Sequence, residues 1–142
     1  MVTVQEIFNM AIHLMDEQNE TNGATGTVDT QEYKFRTISI LNSVIPALQV
    51  YSSNYDRTAS GRPEPQVLYA DNPANPDFTQ EIALDDTLCY TLLPYYLAAQ
   101  LLSGENEELA AWFLTRYREA FNDLRNKMIA EFEDISTPYG LF

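Results

Sequence analysis

The stretch from residue 84 to residue 120 constrains the fold more than any other part of the chain. Apolar and aromatic side chains recur there every three or four residues, on either side of a turn that contains Gly104. This spacing predicts two helices joined by a tight reversal, with a bend in the first of them at Pro94. No nucleophile, base and metal ligand occur together in this stretch. The sequence therefore predicts a structural role, in packing and assembly, and not catalysis.

The first of these two helices, the third in the chain, should begin at Asp85 or Asp86, whose carboxylates suit a helix N-terminus. Its core-facing residues occupy more than one side of the helix, so we expect it to be covered from several directions. They are Leu88, Leu92, Leu93, Tyr95 or Tyr96, Leu97, Ala99, Leu101 and Leu102.

The fourth helix should span about residues 106–132, roughly 40 Å. One continuous apolar stripe follows it: Leu109, Phe113, Tyr117, Phe121, Leu124, Met128 and Phe132. Either the whole stripe packs on the other helices, or its lower half extends past them and is buried against another copy of the chain.

Capping patterns predict two earlier helices. In the first, the Thr3 hydroxyl can cap a free backbone N–H while Glu6 reaches back to the N–H of Thr3. In the second, Asp29 takes the capping position, with Val28 and Tyr33 as the flanking hydrophobic contact.

A long connection follows the second helix. Pro46 should kink that helix or end its regular part, because proline donates no backbone N–H. From about residue 52 to residue 83 prolines and polar residues dominate, and only 66–69 and 81–84 could form short strands. The sequence therefore predicts a mainly α fold of about four helices in a small bundle. Its third helix is kinked and its fourth is long, and a proline-rich loop or short β-hairpin arm separates helices two and three.

Length and composition favour one domain over residues 1–142 with one core. The single cysteine, Cys89, rules out an internal disulfide and should pack in that core. No run approaches the ~20 apolar residues of a membrane span, and the N-terminus lacks the basic start of a signal peptide. We expect a soluble protein that is intracellular when made.

The net charge of −13 argues against a protein that grips nucleic acid through its phosphates, since that mode needs clustered Lys and Arg. Two interpretations remain. Acidic walls around a DNA path would repel the duplex and let it slide, or the charge keeps the protein soluble before assembly.

The charge is also uneven along the chain. Residues 1–33 hold six carboxylates and no Lys or Arg, whereas the last helix carries Arg116, Arg118, Arg125 and Lys127. An acidic face of one copy could meet this basic stripe on the next, head to tail. Alternatively, Glu119 and Glu131 pair with Arg116 and Lys127 within the helix.

Residues suited to catalysis or metal binding are sparse. His13 is the only histidine, and its nearby Asp16 and Glu17 are expected to be ordinary surface neighbours. Asp85 and Asp86 suit capping better than metal binding. No phosphate loop, nucleophile elbow or zinc-type spacing is present, so we expect no enzyme, no cofactor and no metal.

Several parts of the chain resemble the head-tail connector, or adaptor, proteins of tailed bacteriophages. The resemblance is carried mainly by Leu84–Asp86, Leu92–Ala99, Glu105–Asn106 and Phe113–Tyr117, and further by Val4–Ala11, Thr30–Lys34 and Arg36–Thr37. Together these cover about half of the chain, and none of them is a chemical signature.

This resemblance implies a structural subunit that forms a ring of roughly a dozen copies under the portal and extends the DNA channel to the tail or stopper proteins. It would reside at the head-tail junction of the virion, and in the host cytoplasm during assembly. DNA would pass nearby without sequence-specific binding, and no membrane would be involved.

The resemblance also implies which regions contact partners. They are an extended arm within 52–83, whose alternative is a loosely ordered loop, and a C-terminal tail over 134–142, whose alternative is a frayed end. The candidate partner-binding residues are Val67, Leu68, Tyr69, Arg116, Arg118, Arg125, Lys127, Tyr139, Leu141 and Phe142. A different class of function is a small phage-encoded helical regulator or adaptor that binds a host protein through the Tyr/Pro-rich loop.

Deletion of residues 134–142 is expected to abolish assembly and portal binding, because Tyr139, Leu141 and Phe142 are apolar anchors suited to a partner's groove. Pull-down with the portal and particle counts by electron microscopy would measure this. Unchanged assembly of the truncated chain would contradict the role given to the tail.

Overall fold

The computed structural model describes residues 1–52, 66–70 and 74–136, with side chains as far as Lys127. Four helices appear in chain order: α1 (Val4–Met15), α2 (Gln31–Gln49), α3 (Asp86–Leu102) and α4 (Glu107–Ser136). The prediction of a mainly helical, four-helix fold is confirmed. Within the described ranges no β-strand forms, and Thr3 and Glu81 make one isolated antiparallel bridge. No helix in those ranges is long and apolar enough to span a bilayer.

Helix α3 is the centre of the bundle, since it contacts each of the other three helices. Ser52, just after α2, donates to the Asp85 carboxylate just before α3 at 3.1 Å, so α2 runs antiparallel to α3. The short turn at 103–106 makes α4 antiparallel to α3 as well. As predicted, α3 is covered on several sides. Its buried residues are Leu88, Cys89, Leu92, Leu93, Pro94, Leu97, Ala98, Ala99, Leu101 and Leu102.

The C-terminal end of α3 is held by the start of α2. The Arg36 guanidinium donates to the backbone carbonyls of Gln100 at 2.9 Å and Leu101 at 3.3 Å, which lack partners within their own helix. The Tyr33 hydroxyl donates to the Glu105 carboxylate in the α3–α4 turn. Burial and that carboxylate raise the pKa of Tyr33 above its usual range, so the phenol stays protonated.

The N-terminal end of α1 is capped partly as predicted. The Thr3 hydroxyl accepts from the Glu6 N–H at 3.3 Å, but the Glu6 carboxylate instead accepts from the Tyr90 hydroxyl of α3 at 2.8 Å. Two further free N–H groups at the start of α1 are satisfied by the chain segment before α3. They belong to Val4 and Gln5, which donate to the carbonyls of Gln80 and Phe78, both at 3.0 Å.

The start of α2 differs from the prediction. The N-cap is Thr30, one residue later than Asp29, and its hydroxyl donates back to the Thr25 carbonyl at 2.6 Å. Val28 is 86% exposed and makes no staple with the buried Tyr33. The prediction is wrong because hydrogen bonds within the preceding loop, which no local capping pattern reveals, set where the helix begins.

The two helical prolines leave their helices intact. Helix α2 ends three residues after Pro46, at Gln49. Helix α3 continues to either side of the buried Pro94. The bend expected at Pro94 stays a prediction.

Helix α4 packs along one stripe. Ala110 and Phe113 are buried near its start, while Tyr117, Phe121 and Leu124 are half-buried against the core. Helix α3 has 17 residues and α4 has 30. At the usual rise per residue, α4 therefore extends past α3 by roughly 20 Å. The packing expected of the stripe is confirmed as far as Leu124, and the side chains of Met128 and Phe132 lie outside the described residues.

Truncation of Phe113 should weaken the fold far more than truncation of Phe121. Phe113→Ala removes a fully buried ring between α3 and α4 and should lower the free energy of unfolding by about 3–5 kcal/mol. Phe121→Ala removes a half-exposed ring and serves as the matched control, with a smaller loss. Urea unfolding measures both, and equal losses would contradict the one-sided packing of α4.

Candidate interaction surfaces

The chain from residue 66 to residue 69, here named the clamped segment, is held in place by amide side chains. Asn42 of α2 makes a pair of bonds with Leu68: its Oδ1 accepts from the Leu68 N–H at 2.7 Å and its Nδ2 donates to the Leu68 carbonyl at 3.1 Å. Gln80 makes the same pair with Tyr69, at 2.6 Å and 3.0 Å. Each amide meets the backbone as a neighbouring strand would.

Gln66 connects the clamped segment to the chain before α3. Its Nε2 donates to the Glu81 carbonyl at 2.8 Å, and its Oε1 accepts from the Ala83 N–H at 2.8 Å. The two predicted strands, 66–69 and 81–84, are thus adjacent, but side-chain amides join them instead of a backbone ladder between these described residues. The predicted β-hairpin remains unconfirmed.

The clamp buries one side chain and exposes its two neighbours. Leu68, one of the candidate partner-binding residues, is only 3% exposed and belongs to the core. Val67 is 71% exposed and Tyr69 is 63% exposed. Of the three candidate residues here, Val67 and Tyr69 remain available for partner binding.

Two residues of the chain that holds this exposed pair carry carboxylates. Glu81 and Asp77 are exposed, and both carry carbonyls bonded to the amides of the clamp. The Thr79 hydroxyl and N–H both donate to the Asp77 carboxylate, and these bonds lower its pKa. The chain that holds the clamped segment therefore carries two exposed carboxylates, those of Asp77 and Glu81.

The four basic residues of α4 are all exposed, but they do not form one stripe. Arg116 and Lys127 are eleven residues apart, about three turns, and share one side of the helix. Arg118 and Arg125 are seven apart and lie on the opposite flank of the buried stripe. Arg116 contacts Glu119 at 3.3 Å, the intrahelical pair considered from the sequence. The Glu131 side chain, the expected partner of Lys127, is outside the described residues.

Trp112 is a surface feature that the sequence analysis missed. Its indole is 50% exposed near the start of α4, with the Arg116 guanidinium 5.2 Å from the ring centre and the Phe113 ring edge-on at 5.0 Å. An open depression of about 440 Å³ adjoins it, lined by Asn106, Glu108, Leu109 and Trp112. We name the exposed groups of Leu109, Trp112 and Arg116 the Trp112 surface.

A polar depression of about 460 Å³ lies in the α1–α2 loop. Its acidic lining residues are Asp16, Glu17, Glu20 and Asp29. No group of three or more His, Cys, Asp or Glu side chains within the described ranges has an arrangement suited to a metal ion. His13 is exposed nearby, with Nε2 3.0 Å from the Gly23 carbonyl oxygen.

Cys89 lies in the core, as predicted. Burial, with smaller contributions from Asp86 and Asp85, raises the pKa of its thiol to about 12. Asp85 takes the N-cap position of α3, but its carboxylate accepts from the Ser52 hydroxyl and does not cap the helix. The predicted contact residues Tyr139, Leu141 and Phe142 lie outside the described residues.

Comparison of the chain with protein-family models, curated proteins and solved structures finds no match.

Replacement of Asn42 by Ala should release the clamped segment. Leu68 would lose both amide bonds and its buried backbone groups would lack partners, so the free energy of unfolding should fall by about 1–3 kcal/mol. Amide hydrogen exchange at residues 66–69 should accelerate. Asn126→Ala, an exposed amide on α4, is the matched control. Slow exchange at 66–69 in Asn42→Ala would show that the clamp does not depend on this amide.

Proposed function

We propose that the protein is a structural subunit of a tailed bacteriophage, a head-tail connector that forms a ring under the portal and extends the DNA channel to the tail. The proposal starts from the resemblance carried by residues 84–117. The feature of the fold that supports it best is the clamped segment.

The clamped segment holds two exposed apolar side chains in a defined position. Four hydrogen bonds from Asn42 and Gln80 fix the backbone of Leu68 and Tyr69, and the Leu68 side chain anchors it in the core. Neighbouring exposed apolar groups are a common feature of interaction surfaces. Because the backbone is ordered before a partner arrives, little conformational entropy is lost on binding.

The distribution of basic residues supports a role in which DNA passes the protein without being bound by it. Before α4, the described ranges contain two basic residues, Lys34 and Arg36, among many carboxylates. Lys34 lies over the Phe78 ring at 5.4 Å, and Arg36 caps α3. Both are engaged within the fold, so a channel wall built from the surface that precedes α4 would repel the duplex and let it slide.

In this proposal the parts of the molecule have separate tasks. Helices α3 and α4 form the rigid body of each subunit. The clamped segment contacts neighbouring proteins, and residues 134–142 contact the portal. The subunit would reside at the head-tail junction of the virion, after a period in the host cytoplasm.

A second candidate is a small phage-encoded helical regulator or adaptor that binds a host protein. The same exposed pair, Val67 and Tyr69, favours it, since a preordered apolar surface can equally accept a foreign protein. The two candidates differ in their partner: a connector requires a portal and further copies of itself.

Electron microscopy with mass analysis tests the proposal, using the purified full chain alone and mixed with the portal encoded nearest to its gene. Rings stacked on the portal are the expected result. A chain that stays monomeric and ignores the portal would overturn the connector proposal and favour the host-binding regulator.

A further inference from the structure

We propose that Asn22 is a site of spontaneous covalent modification, at which the side-chain amide reacts with the backbone nitrogen of Gly23 and is converted to a carboxylate. The inference concerns the loop between α1 and α2 and is independent of the proposed function. Three observations carry it: the residue that follows Asn22, the hydrogen bonds of the loop, and the exposure of both residues.

Gly23 removes the main steric obstacle to this reaction. Ring closure requires the backbone nitrogen of the next residue to reach the Cγ of the asparagine, and a side chain on that residue would crowd the approach. Asn22 and Gly23 form the only Asn-Gly pair in the chain. Gly23 has a φ of +72°, and a Cβ built on it would meet no atom within 4 Å. The space beside Gly23 is therefore open, and both residues are exposed.

A hydrogen bond activates the side chain of Asn22. Its Oδ1 accepts from the Ala24 N–H at 2.9 Å, which folds the side-chain carbonyl back over the backbone that follows. Attack on Cγ places negative charge on Oδ1, so a donor that is already aimed at this oxygen stabilises the intermediate. The same bond therefore positions the amide and lowers the barrier to its loss.

His13 extends this hydrogen bond into a chain. Its Nε2 lies 3.0 Å from the Gly23 carbonyl oxygen and donates to it, since a carbonyl only accepts. That carbonyl and the Ala24 N–H belong to one peptide group, so a bond to the oxygen strengthens the N–H as a donor. His13 is thus a positioning residue that acts on Asn22 through the backbone.

One hydrogen bond must open before the ring closes. The Gly23 N–H donates to the Asn19 carbonyl at 2.8 Å, and the nitrogen attacks only after it has lost this proton. Residues 19–23 form an exposed turn outside the helices, so its opening leaves α1 and α2 intact. The bond between Asn22 and Ala24 is formed within three residues and does not depend on the bond that opens.

The reaction needs only water. Hydroxide takes the proton of the Gly23 nitrogen, whose electron pair then forms a bond to the Cγ of Asn22. The bond from Cγ to Nδ2 breaks, and Nδ2 leaves as ammonia after taking a proton from water. Water then opens the resulting succinimide. The product is aspartate when the bond from the Gly23 nitrogen to Cγ breaks, and isoaspartate when its bond to the Asn22 carbonyl carbon breaks.

Each product alters the loop. Both add a carboxylate to a stretch that already carries Glu17, Glu20 and Asp29. Isoaspartate also lengthens the backbone at position 22 by one carbon, so the backbone hydrogen bonds that close the loop cannot all be kept. Because the lost ammonia does not return, the converted fraction grows with the age of the chain.

Two variants of the full chain test the hydrogen-bond chain. Because His13 is exposed, its replacement leaves the core unchanged. His13→Ala removes the donor and should slow the conversion of Asn22 by about twofold to fivefold, the effect of one ordinary hydrogen bond. His13→Gln keeps a donating nitrogen and should restore the native rate. A rate that His13→Ala leaves unchanged or raises would overturn the role given to this chain of bonds.

Peptide mapping by mass spectrometry tests the site itself, after incubation of the folded full chain in mildly alkaline buffer. Trypsin releases residues 1–34 as one peptide, because no Lys or Arg precedes Lys34, and fragment masses locate the converted residue. Asn19 is the matched control in the same peptide, since its Oδ1 also accepts from the N–H two residues on, at 2.9 Å, but Glu20 follows it. We expect conversion at Asn22, above a sample digested without incubation, and several-fold less at Asn19. Equal conversion at the two residues, or none at Asn22, would overturn the inference.

Discussion

The need to cover α3 on several sides organises the whole molecule. Most of its residues are apolar and buried, so three helices and the chain around 78–84 have to surround it. Helices α1, α2 and α4 make few contacts with one another. Helix α4, for example, contacts the other helices of the described ranges through α3, and as far as Lys127 its outer side is exposed.

Once α3 is central, its ends also require partners. Arg36 reaches the carbonyls at its C-terminal end, and Ser52 bonds the Asp85 carboxylate at the other end, so α2 is fixed to both ends of α3. The start of α1 is fixed by hydrogen bonds from its backbone N–H groups to the carbonyls of Phe78 and Gln80. The clamped segment is therefore attached, through Asn42, to a helix that hydrogen bonds fix to both ends of α3.

The parts that local patterns determine could be predicted from the sequence. Helical periodicity predicts the four helices, the burial of α3 on several sides and the place of Cys89, because these follow from residues a few positions apart. The clamp could not be predicted, since Asn42 and Leu68 are distant in the chain and an amide carries no periodic signal. The start of α2 at Thr30 could not be predicted for a similar reason, since the Thr30 hydroxyl bonds the preceding loop and does not cap the helix. The exposure of Trp112 was not predicted, because this residue lies next to Phe113 of the buried stripe. Its position on α4 nevertheless turns its indole away from the core.

In the clamped segment, the groups that fix the backbone are different from the side chains that are exposed to solvent. The amides of Asn42 and Gln80 hold the segment through backbone atoms alone, and Leu68 anchors it from within. The side chains at 67 and 69 lie mostly in solvent and therefore contribute little to holding the segment in place. Substitutions at these two positions can therefore alter the chemistry of this surface at little cost in stability, so the surface can vary while the fold is kept.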